Sequence, residues 1–200
     1  MILRHVKGLL TDPKHEWEKI RDNNESVSEC YLYHVLPMAA ISPLAGILGT
    51  TLIGWQIAGG TPVKLTPGSA IQIGIVYYLA ILFTVFVIGV LVHWMSETYG
   101  AKQSLSRCVA IAAYTATPLF LVGVMQLYPV LWINFIVGLP ALAYTVYLLY
   151  TGVPIMMEIS LERGFLFSSA VLAVGLVALV GLLVSTVMLW SFGLGPSFAI

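Results

Sequence analysis

The chain has 200 residues, 59% hydrophobic and only 9% charged, with nine basic and nine acidic side chains and a formal net charge of zero. An ordinary soluble domain carries roughly 25% charged residues, so a water-soluble globule is excluded, and the absence of a basic patch argues against nucleic acid as a partner. Residues 30–63, 65–96, 108–157 and 164–200 hold no Asp, Glu, Lys or Arg.

A helix rises about 1.5 Å per residue and about 20 residues cross the hydrocarbon. The charge-free stretches therefore predict an all-α membrane protein with five spans, preceded by amphipathic interfacial helices. Residues 1–35 form the expected leader and residues 36–200 the five-helix domain. In the leader, Ile2, Leu3, Val6, Leu9 and Leu10 recur at helical spacing with Arg4 and Lys7 between them. These basic residues interrupt any signal-peptide core, so targeting rests on the first span. Asp12-Pro13 reads as a helix restart, with Asp12 as cap and Pro13 in the first turn. Ser26-Val27-Ser28-Glu29 is a capping box that would start the helix leading into the first span. The leader is expected to lie on the inner leaflet with Trp17 and its leucines inserted in lipid; the plainer alternative is a solvated segment of mixed charge.

The spans are expected near Leu36–Ile57, Ile71–Met95, Cys108–Leu127, Val130–Tyr150 and Phe165–Trp190. The stretch 108–157 must fold back on itself, because one helix of that length would be about 75 Å long. Tyr128-Pro129 supplies the turn. Lys and Arg set the direction: a cytoplasmic amino terminus puts Arg4, Lys7, Lys14, Lys19, Arg21, Lys102, Arg107 and Arg163 inside and only Lys64 outside. The carboxy terminus then lies in the periplasm. Trp55, Trp132 and Trp190 fall at outer ends and Trp94 at an inner end, the headgroup levels that indole rings prefer. Cys30 and Cys108 start spans on the inner side, where thiols stay reduced. They are read as inert.

Ionisable groups within the membrane are costly, and each is a functional suspect. His93 and Glu97, four residues apart, are the weak candidates for a metal or proton role, against a plain interfacial anchor. Glu158 and Glu162 show the same step in the last inner loop, read as a short solvated helix. His34 reads as a satisfied interfacial side chain. Pro37, Pro43, Pro118 and Pro140 bend spans. Ser42 with Gly46 and Gly181 with Ser185 are small-xxx-small pairs that favour close helix contact. Asn134, Gln126 and Thr115 are expected to bond between helices. No Ser-His-Asp set, phosphate loop, metalloprotease motif or CxxC is present in the sequence, so no cofactor or catalytic residue is assigned.

Three stretches carry a family resemblance: Asp12-Pro13-Lys14-His15-Glu16-Trp17-Glu18-Lys19-Ile20, Ala113-Tyr114-Thr115-Ala116-Thr117-Pro118, and Tyr144-Thr145-Val146-Tyr147-Leu148-Leu149-Tyr150-Thr151-Gly152-Val153-Pro154. With five spans, they resemble the bacterial branch of the Yip1 family of integral membrane proteins. The resemblance implies an inner-membrane helical domain with a cytoplasmic amino terminus. Pro13, Trp17, Tyr114, Pro118, Tyr150 and Gly152 match its pattern and carry a role that is structural in the plainest reading. Eukaryotic relatives are linked to Golgi and endoplasmic-reticulum traffic and Rab GTPases. This chain lacks their long soluble amino-terminal region and its acidic motif, so a GTPase partner is not carried over. The expected function is a non-enzymatic membrane-organising protein that meets lipids, other membrane proteins or its own copies. The alternative is a channel or transporter for a small solute or ion, with His93 and Glu97 at its inner mouth.

Overall fold

A computed structural model describes residues 5–56 and 60–199. Ile2, Leu3, Arg4 and Ile57 of the expected elements lie outside the described residues. Two short helices, α1 (Val6–Thr11) and α2 (Pro13–Asn23), precede five long apolar ones. These are α3 (Val27–Ile53), α4 (Pro67–Tyr99), α5 (Leu105–Leu127), α6 (Leu131–Met157) and α7 (Leu161–Phe192), each long and apolar enough to cross a bilayer.

The starts follow local chemistry. Pro13 occupies the first turn of α2, although the Asp12 side chain makes no capping bond. Ser26 accepts from the Glu29 amide while Glu29 accepts from the Ser26 amide, so the capping box starts α3 at Val27. The helix that carries the first span therefore begins at Val27, as the capping box predicts, and runs through Leu36 without a break. Around Pro37 and Pro43 the helix widens into π-type turns at Tyr31–Val35 and Gly49–Ile53, a common consequence of interrupted helix bonding. Thr66, Ser104 and Ser160 cap α4, α5 and α7 with their side-chain oxygens. Gly100 ends the α4 region in the left-handed conformation, φ 77°, that favours glycine.

Aromatic rings locate the lipid. Trp132 and Tyr150 are 18 residues apart on α6, about 27 Å along the axis and close to the thickness of the hydrocarbon. Tyr150 bonds to Ser169 of α7 at 2.8 Å, and Trp190 lies 21 residues farther on, about 31 Å. The last turns of α6 extend past Tyr150 on the side where the leader lies. The buried core sits here, and it includes Trp17, Cys108, Ile111, Leu148, Val153, Met156, Met157 and Phe167. On the far side the loops knit together: Trp55 pairs with Val63, Gln56 with Val130, and Leu65 with Phe198.

Candidate functional site

The leader docks on protein. Trp17 is 0% exposed, and a Cβ added at Gly152 of α6 would overlap its indole ring. The glycine is the notch that admits the ring. Glu16, Trp17 and Ile20 form the buried face of α2. The expected insertion of Trp17 into lipid is thus corrected. An apolar stripe on a helix looks the same in sequence whether it meets lipid or protein. Leu9 is buried as well, whereas Leu10 stays exposed, and their carbonyls accept bonds from the Tyr144 hydroxyl at 2.9 and 3.3 Å.

Glu16 brings a carboxylate into this interface, where its desolvation must be offset. Its Oε1 lies 2.6 Å from His5 Nδ1 and its Oε2 accepts from Lys19 Nζ at 3.2 Å. Burial pushes the Glu16 carboxyl up, but the hydrogen bonds from His5 and Lys19 outweigh it and hold the group below its ordinary value. Gly8 makes room for the carboxylate, since a Cβ there would overlap it. His5 continues the chain of contacts, with its Nε2 3.5 Å from Glu25 Oε1. Glu25 Oε2 accepts from the Tyr114 hydroxyl at 2.9 Å. Asn24, left-handed at φ 47°, ends α2 and swings Glu25 toward α5.

Tyr114 is the hub. Its ring meets those of His5 at 5.4 Å and Trp17 at 6.5 Å, both edge-on, and of His34 at 4.3 Å. The Thr117 hydroxyl donates to the Tyr114 carbonyl at 2.6 Å, which leaves its oxygen to accept from His34 Nε2 at 3.1 Å. That assigns the proton to Nε2; His34 Nδ1 is buried without a hydrogen-bond partner. A cavity of about 250 Å³ opens between these elements, lined by His5, Asn23, Glu25, Glu29, Tyr33, His34 and Tyr114. Its polar groups can bind a small polar molecule or water. Among the described residues no group of three or more His, Cys, Asp or Glu could hold a metal ion.

The comparisons with known proteins agree with this architecture. A family model described as the Yip1 domain matches residues 7–182. The chain belongs to the Yip1 family. It is 42% identical over 191 residues to inner membrane protein YohC of Escherichia coli K12, across 96% of this chain and 98% of that protein. The same figures hold for YohC of E. coli O6:H1. No solved structure gives a significant match.

In this Yip1-family chain the motif residues separate into groups. Trp17, Tyr114 and Gly152, far apart in sequence, converge at the leader interface. Pro13 starts the helix that carries Trp17. Tyr150 ties α6 to α7 through Ser169 and a ring contact with Phe165. Pro118 lies apart, in the wall of a lateral groove.

The structure does not gather the suspected ionisable pairs into one site. His93 and Glu97 are both exposed at the leader-side end of α4, and His93 Nδ1 lies 3.9 Å from Cys108 Sγ. Glu158 and Glu162 do not share a helix: Glu158 ends α6 in the left-handed region and Glu162 opens α7. The expected loop helix is absent because α6 runs on through Pro154 and Ser160 caps the next helix. Glu158 instead pairs with Arg107 at 3.3 Å. Gln126 reaches Tyr77 on α4 at 3.5 Å, but Asn134 bonds back to Val130 and Tyr128, and Thr115 Oγ1 is buried without a partner. Sequence reasoning missed the His5–Glu16–Glu25–Tyr114–His34 cluster. Its one signal is Glu16 beside Trp17 and four before Ile20, an acid on the apolar face of α2.

Proposed function

We propose that the protein is a non-enzymatic organiser of the inner membrane, which meets lipids, other membrane proteins or further copies of itself through its apolar helix faces. Its amino terminus faces the cytoplasm and its carboxy terminus the periplasm, as the eight-to-one distribution of Lys and Arg favours. One observation carries the reading. Glu16, Glu25, Tyr114 and Tyr144 hold the leader to the bundle, while α6 from Leu131 to Tyr147 has no buried residue. Such a chain offers a rigid frame with open lipid-facing surfaces.

Native mass spectrometry from lipid nanodiscs, with cross-linking in membranes, tests the proposal. Retained lipid, a membrane-protein partner or a discrete oligomer supports it. A strict monomer that carries neither lipid nor protein overturns it.

The 250 Å³ cavity beside His34 favours a second reading, passage of a small solute or ion. Flux in proteoliposomes, compared between the wild type and His34→Ala, decides it: background-level flux in both retires the idea.

A further inference from the structure

On the lateral surface a second cavity of about 510 Å³ opens between α5 and α6, beneath α1. Pro118, Leu121 and Met125 form one wall, Val137, Pro140 and Ala141 the other, and Leu10 with Tyr144 closes its leader-side end. The prolines explain why the helices part. α5 is interrupted at Ala116, just before Pro118, and Pro140 lies inside α6 without an amide to donate. Each helix carries a proline where it faces the other, and the opening runs about 10 Å along their axes, the length of seven helical residues.

The groove lies within the apolar belt, open to the side. Its lining is hydrocarbon except near the Tyr144 hydroxyl, which α1 already occupies. Charge identifies the occupant. Lys7 stands three residues before Leu10 on α1, so the two exposed side chains share a helix face above the mouth of the groove. Among the described residues neither Lys7 nor Lys14, at the adjoining corner, forms an ion pair. Asp12 is the one acid between them. Two exposed lysines without an acidic partner beside an apolar slot match an acidic headgroup whose hydrocarbon tail enters the slot.

We infer that this groove holds one acyl chain of an anionic glycerophospholipid, with the lipid phosphate at Lys7. The inference rests on the proposed role in lipid organisation and names the lipid and its seat. Binding combines apolar burial in the slot with charge attraction at its rim.

The test uses full-length protein in phosphatidylethanolamine nanodiscs doped with phosphatidylglycerol that carries a photoreactive group on one chain. Label should concentrate on peptides of α5 and α6 several-fold above those of α7. Ala141→Trp and, separately, Val137→Trp fill the slot and should each cut the label by at least half, in protein whose helical content and elution volume are unchanged. Lys7→Gln should equalise labelling by phosphatidylglycerol and by phosphatidylethanolamine bearing the same group, whereas Lys102→Gln, exposed elsewhere on the leader side, should leave the preference intact. Label spread evenly over the lipid-facing helices, or untouched by both tryptophans, overturns the inference, as does a cross-link to a second protein chain in the groove. Those results leave the organiser role standing if native mass spectrometry still retains lipid or protein; loss of both there removes the broader reading too.

Discussion

The two ends of α6 and α7 solve the same problem with different solvents. On the leader side, Leu148, Leu149, Gly152, Val153, Met156 and Met157 of α6 are buried against α2, α5 and α7. Toward the far side, α6 from Leu131 to Tyr147 has no fully buried residue, and no described side chain of α7 beyond Val171 is buried. Both halves are apolar in sequence. For α6 the difference is the partner: its leader-side end is packed in protein, while the rest faces outward; α7 is only partly covered at that end, where Phe167 is buried but Leu161, Phe165 and Leu166 are exposed. Stability should therefore be concentrated at the leader interface, and substitutions there should outweigh comparable ones on the lipid-facing surface.

The largest effect is expected from Trp17→Ala. Truncating a fully buried indole should cost about 3–5 kcal/mol, read as a lower unfolding midpoint in detergent and as faster proteolysis of residues 5–26. Glu16→Gln comes next. It leaves the geometry but weakens charge-assisted bonds to His5 and Lys19, at a cost of about 1–3 kcal/mol. Because the folded-state carboxyl lies below its ordinary value, the wild type should hold this contribution above the ordinary carboxylate range and lose it as pH falls through the folded-state value. Thermal melts from neutral to acid pH should show that part of the slope vanish in the Gln variant.

A pair of glycines, both toward the far side, separates helix packing from open helix surface there. A Cβ at Gly49 would overlap the Gln126 carbonyl of α5, whereas one at Gly181 meets nothing within 4 Å. Gly49→Ala should lower stability by about 1–3 kcal/mol, and Gly181→Ala should change it by less than about 0.5 kcal/mol, both read from unfolding midpoints. Tyr114→Phe falls between these limits. It removes only the hydroxyl bond to Glu25, worth about 0.5–1.5 kcal/mol, and keeps the ring contacts, so the midpoint should drop while the leader stays protected. Equal losses at Gly49 and Gly181 would show that α7 has a partner in the membrane, and the comparison would then have to be redrawn.

What the sequence reveals follows from which patterns are one-sided. Long charge-free stretches have one physical meaning, so five spans and the turn at Tyr128-Pro129 are readable directly. Small-residue pairs are ambiguous. Ser42 and Gly46 pack on α5, where a Cβ at Gly123 would overlap Ser42 and one at Gly46 would lie 2.8 Å from Gln126 Oε1. Gly181 and Ser185 show the same spacing, yet the Ser185 hydroxyl only bonds back to the Gly181 carbonyl at 2.8 Å. The leader interface was hidden for a similar reason. An amphipathic helix with a tryptophan fits a headgroup layer as well as a protein groove, and nothing local announces that Gly152 is the matching notch. His34 reads as peripheral in sequence because nothing local shows that Tyr114 and Thr117 of α5 meet its ring.

The central claim, that Trp17 of the leader is seated on the end of α6 and not in lipid, has a direct spectroscopic test. With Trp55, Trp94, Trp132 and Trp190 replaced by Phe, Trp17 is the sole indole, and its fluorescence can be followed in bilayers containing brominated phospholipid. The docked leader predicts emission that neither brominated lipid nor aqueous iodide quenches, and that becomes quenchable when Gly152→Leu closes the notch. Strong quenching by brominated lipid in the otherwise unaltered protein, to the level of a sole exposed Trp94, would contradict the account.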